Sequence, residues 1–71
     1  MSGYRKGTKV QWDWGTGIGT GEIEKVYTEK TTQTIKGTEV TRDASEDCPA
    51  YYIKQKDGSS VLKSHSEVKK A

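Results

Sequence analysis

The chain has 71 residues, 30% of them hydrophobic, and a formal net charge of +2. That size allows one domain with a small core, and near-cancelling charge with two Trp and four Tyr separates it from disordered chains. The balance falls short of a strongly basic nucleic-acid binder, the lone Cys48 excludes an internal disulfide, and no apolar run is long enough for a signal peptide or a membrane span.

Met1 to Gly7 carries two Gly and no pattern, so residues 1–7 read as a flexible tail and 8–71 as a single domain. Lys9 to Trp14 alternates polar and apolar, which puts Val10, Trp12 and Trp14 on one face of a first strand. Gly15 to Gly21 has Gly at every second position. A phosphate-cradling reading fails, because Thr20 and Glu22 stand where the last Gly of G-x-G-x-x-G would fall and no helix follows. The stretch reads as a hairpin loop, or as a strand edge approached closely by another backbone.

Glu22 to Thr28 reads as a second strand. Ile23 and Val26 are three apart, so both point inward only if a bulge or bend falls near Glu24–Lys25. Thr31 to Lys36 and Thr38 to Asp43 form a third and a fourth strand around Gly37. After the polar turn Ala44 to Cys48, Pro49 cannot donate to a ladder, and the run Tyr51 to Gln55 begins beyond it. This strand is expected at the centre of the fold, with Tyr51 and Ile53 on one face and Tyr52 and Lys54 on the other. Asp57-Gly58 is a strong turn signal that returns the chain through Val61-Leu62-Lys63. Ser64 and Glu67 are spaced like a capping box around one 3₁₀ turn, and Val68-Lys69-Lys70 reads as a short edge strand. The expected fold is all-β: a small antiparallel barrel with one late 3₁₀ turn.

Several pieces recur in a definite order: Lys6-Gly7 before Val10-x-Trp12, Gly21-Glu22-Ile23, Tyr27-Thr28-Glu29 and Ile35-Lys36-Gly37. They continue with Ala44-Ser45, Asp47-x-Pro49-x-Tyr51-x-Ile53, and Leu62-Lys63 before Ser66-Glu67-Val68. Together they resemble the hypervirulence-associated Tudor domain family from about Lys6 to Lys70. The resemblance implies a Tudor-like, Src-homology-3-like barrel and no established reaction. Cys48 departs from the polar residue expected before Pro49.

Trp12, Trp14, Tyr27, Tyr51 and Tyr52 are the aromatics available for a cage; Trp12 and Tyr51 read as core bulk in a chain without Phe, which makes Trp14 and Tyr52 the candidates for an exposed one. If the loop after the first strand meets the turn entering Pro49, then Trp14, Tyr52, Glu46 and Asp47 surround a site into which Gly17 and Gly19 admit a ligand. Such a site suits a basic peptide or a cationic side chain. The alternative is a nucleic-acid surface built from Lys54, Lys56 and Lys63 with Tyr52. His65 is expected at the surface, since no Cys or carboxylate pair stands at ligand spacing, and Cys48 has no neighbouring base. No catalytic set, metal site or cofactor motif is expected. The reading is a cytoplasmic, non-catalytic module with a protein or peptide partner.

Overall fold

The computed structural model describes residues 3–71; Met1 and Ser2, part of the expected tail, lie outside the described residues. The strands are β1 (Lys9–Trp14), β2 (Gly17–Tyr27), β3 (Thr31–Ile35), β4 (Thr38–Arg42), β5 (Ala50–Lys54), β6 (Ser60–Ser64) and β7 (Lys69–Lys70). A single 3₁₀ turn, η1 (His65–Glu67), precedes β7. One antiparallel sheet has the order β6-β5-β2-β1-β7, and β3 and β4 form a separate hairpin. The middle place therefore goes to β2, with β5 beside it.

Five flat strands hold their outer members about 19 Å apart at the usual spacing. Between Ser64 and Lys69 the chain runs through η1, a link that spans only about 13 Å. The sheet must curl so that β6 and β7 approach, although both remain edges of the ladder. This is the small Tudor-like fold without a closed hydrogen-bonded barrel. Glu67 Oε1 accepts the Ser64 N–H at 2.9 Å, so the pair expected to cap η1 holds the connection that brings the edges together.

The core is built by alternation. Val10, Trp12, Ile23, Tyr51 and Ile53 are buried and pack with Val68. The expected bulge falls between Ile23 and Lys25, and it restores Val26 to the face of its partner Tyr51. Val26 nevertheless stays 39% exposed, so the bend does not take it into the core.

The glycine run is mostly strand. Only Gly15 and Thr16 form the turn, and Gly15 takes a φ of +55°, the first-position conformation of a primed hairpin turn. Gly17, Gly19 and Gly21 stand opposite Trp14, Trp12 and Val10. A side chain at Gly19 would come within 2.6 Å of the Trp12 indole. Gly19 thus makes room for the Trp12 side chain of β1, and close approach by another backbone applies to Gly21 alone, where a Cβ would come within 2.8 Å of Lys54 O of β5, although β2 is the middle strand and not an edge.

The segment from Gly3 to Gly7, read from the sequence as tail, makes specific contacts. Gly7 N–H donates to Ile23 O at 2.7 Å, and Tyr4 N–H donates to the Tyr51 hydroxyl at 2.8 Å. Burial pushes the Tyr51 phenol above its ordinary pKa. The Tyr4 N–H pulls the other way, and the neighbouring Tyr4 and Cys48 add to the rise.

Candidate functional site

Trp14 has inward parity but closes β1. Its partner Gly17 offers no side chain, and β7 pairs only with Val10 and Gln11, so nothing covers the ring. Trp14 is 72% exposed and Ile18 62%. Trp14 and Ile18 meet Ile35, Lys36, Asp57 and Val61 around a groove of about 430 Å³, at the convergence of three hairpin ends. A second hollow of about 200 Å³ adjoins it, sharing Trp14, Ile35 and Val61 and adding Val40, Arg42, Leu62 and Lys63. The result is one trench between the β3–β4 hairpin and the curled sheet, with an apolar floor and a charged rim.

Local chemistry shapes that rim. Lys36 sits in the left-handed region with φ of +52° beside Gly37 at +78°, as a two-residue hairpin tip of this kind requires. For a residue with a Cβ this conformation costs about 1–2 kcal/mol, so the tip is strained where it borders the trench. Asp57 Oδ1 lies 2.6 Å from Ser59 Oγ and accepts Ser59 N–H at 2.9 Å. These bonds, with the Lys36 charge nearby, hold the Asp57 carboxyl below its ordinary pKa, so the rim carries a negative charge at neutral pH.

The hairpin is clasped from the other side. A two-stranded hairpin alone is marginal in water. Arg42 Nε donates to Glu67 Oε1 at 2.8 Å, Lys63 Nζ lies 3.9 Å from Oε2, and Gln33 Nε2 donates to the Tyr27 hydroxyl at 3.1 Å. Burial raises the Glu67 pKa, but the Arg42 and Ser64 hydrogen bonds and the Arg42 and Lys63 charges outweigh it, and the net shift is downward. A depressed carboxylate contributes stability that is present above its unfolded value, about 4.3, and is lost as pH falls through the lower folded value. Acid melting curves should therefore be flatter for Glu67→Gln than for the parent between about pH 5 and 3. Equal slopes would mean that this clasp carries none of the acid sensitivity.

The residues expected to form a cage do not assemble. Trp14 closes β1 opposite Gly17, and Gly17 and Gly19 open β2, whereas Glu46 and Asp47 precede Pro49 and the Ala50 that pairs with Tyr27 at the far end of β2. Ten residue steps, about 33 Å on a straight strand, separate those ends, against a longest molecular dimension of 29 Å. Tyr52 is half-buried in the middle of β5, between Lys25 and Leu62. The lysines also divide. Lys63 is the partner of Tyr51 and borders the trench, while Lys54 and Lys56 line a different hollow of about 470 Å³. There Lys9, Glu22 and Lys54 are successive cross-strand partners, so the charges alternate across the strands.

Sequence reasoning missed Ile18, Ile35 and Asp57 as neighbours of Trp14. The one local signal was the three hairpin turns, whose convergence depends on the curl. It also misplaced His65, which is half-buried: its ring lies 5.0 Å from Tyr4 and 5.9 Å from Tyr51. Cys48 is a half-buried free thiol whose N–H donates to Ser45 Oγ at 3.2 Å.

The model of the Tudor domain of hypervirulence-associated proteins matches residues 7–68. The chain belongs to this family. Every strand from β1 to β6 and all of η1 fall inside the matched span of this Tudor domain. No curated protein and no solved structure matches the chain. Among the described residues of the Tudor domain, no helix is long and apolar enough to cross a membrane, and no group of three or more His, Cys, Asp or Glu converges as metal ligands.

Proposed function

We propose that this Tudor domain is a non-catalytic interaction module that takes an extended peptide into the trench, with Trp14 as the anchor. The observation that carries the reading is the largely exposed indole, ringed by aliphatic side chains and facing a charged Asp57 across the groove. Large exposed aromatics set in a pocket with a polar rim are where binding energy concentrates. A lysine- or arginine-bearing side chain suits both parts. Its aliphatic stem can lie on Ile18, Ile35 and Val61, and its cation can sit over the Trp14 face near Asp57. Lys36 on the same rim favours peptides with few positive charges over polybasic ones.

Titrating isotope-labelled protein separately with a single-lysine peptide, its methylated form and a short single-stranded oligonucleotide tests this. Peptide-induced shifts are expected at Trp14, Ile18, Ile35 and Val61. Trp14→Ala should weaken peptide binding by at least about 30-fold, the loss of an anchor side chain. Because the ring is exposed, the same change should move stability by only about 0.5 kcal/mol. Binding by the oligonucleotide alone, with salt-sensitive shifts at Lys54, Lys56 and Lys63, would replace this reading with a nucleic-acid one.

A further inference from the structure

Outside the residues that line the trench, three rings and a short segment are joined in a polar circuit. The Tyr4 and Tyr51 ring centres are 6.0 Å apart, and His65 packs against both. Tyr51 Oη lies 2.8 Å from His65 Nδ1 and accepts the Tyr4 N–H, also at 2.8 Å. Gly3 lies against Pro49, where a Cβ would come within 2.8 Å of Cγ, and His65 N–H donates to Pro49 O. Gly3 to Lys6 precede the family-matched span, so this segment is laid over the core domain from outside it.

Hydrogen counting makes the circuit depend on one proton. A phenol has a single hydrogen, and the arrangement that gives it an acceptor while Oη accepts from Tyr4 directs it to His65 Nδ1. Nδ1 must then be bare, with the ring proton on Nε2. An imidazolium carries N–H on both nitrogens. Two donors would then converge on Tyr51 Oη, and the phenol hydrogen of a fully buried side chain would lose its acceptor.

Charged and titratable groups stand on each element around His65. The segment itself carries Arg5 and Lys6, which repel a cation beneath it. Tyr51 stands on β5, and the turn before it carries the acidic Glu46 and Asp47 next to Cys48. On η1, the Glu67 carboxylate is directed to Arg42, to the Ser64 N–H and towards Lys63 of β6.

We propose that Gly3–Gly7 is an acid-released strap, docked while His65 is neutral and displaced when His65 takes up a proton, which uncovers Pro49, Tyr51 and His65. The device is independent of the trench, and its test needs no ligand. Amide exchange and ring spectra of the full chain are compared at about pH 7.5 and about pH 5, which bracket the usual range of imidazole titration. Protection of the Gly7 amide should fall roughly tenfold or more at the lower pH, as the loss of one hydrogen bond implies. The Ile53 amide of β5 should stay protected, which separates strap release from unfolding. Tyr4 ring signals should move together with the His65 imidazole titration. In Tyr51→Phe, which keeps the ring and removes the shared oxygen, strap signals should no longer follow pH. The proposal is overturned if His65 titrates while Gly7 and Tyr4 stay unchanged, or if Tyr51→Phe shows the same pH-dependent release.

Discussion

Trp12→Ala is expected to unfold the domain, at a cost of about 3–5 kcal/mol. The indole is 3% exposed and lies over Gly19, whose missing side chain makes room for it. Removing the ring leaves a void that neither partner can fill. Gly19 has no atoms to offer, and the β1–β2 ladder on both sides of the pair holds the strands at fixed spacing. A domain of this size has only a few kcal/mol in reserve. Far-ultraviolet circular dichroism with a urea titration is the measurement, run beside Trp14→Ala. The two tryptophans are two residues apart on one strand with the same parity, yet one change should unfold the chain and the other should leave its melting temperature almost unaltered. Similar midpoints for the two variants would show that burial does not separate them as described.

Gly21→Ala should rank next. A single methyl group there would come within 2.5 Å of Ile53 Cγ2 and 2.8 Å of the Lys54 carbonyl oxygen. Ile53 is fully buried, and the Lys54 carbonyl belongs to β5, the strand paired with β2. Neither can retreat without opening the β2–β5 ladder. Overpacking of this kind costs about 1–3 kcal/mol, enough to lower the denaturation midpoint by a large part of its value. Gly17→Ala is the internal control, because a Cβ at Gly17 would meet only Trp14 O at 3.8 Å, an ordinary contact. If Gly21→Ala and Gly17→Ala melt together, the glycine strip is not a packing surface.

These two results bear on the trench as well. The strip leaves room for Trp12 of β1 and Ile53 of β5, and Val61 of β6 lines one hollow with Trp12 and Trp14. A variant that flattened the sheet without unfolding it would open the trench and cost peptide affinity while leaving Trp14 in place. Stability and recognition therefore share one cause, the small residues of β2, although they use different side chains of β1.

Much of the fold follows from the sequence by itself, because its signals are local. Strict alternation from Lys9 to Trp14 sets a strand and its buried face, and Pro49 marks where β5 starts. Ser64 with Glu67 sets the 3₁₀ turn, and the order of motifs from Lys6 to Val68 identifies the family. Tertiary structure alone decided the site. Parity says which way Trp14 points, but its exposure depends on Gly17 opposite and on β7 ending beside Gln11. The length of β2 sends Glu46 and Asp47 to the far end from Trp14, and the curl that brings Ile35, Asp57 and Val61 beside it is a sum of twists along five strands. His65 shows the same limit. In sequence it stands in a polar turn, and only the return of Tyr4 over Tyr51 makes it part of a half-buried cluster. Alternation and turn chemistry act over two to four residues, whereas contacts between the ends of different strands are set by closure of the whole sheet.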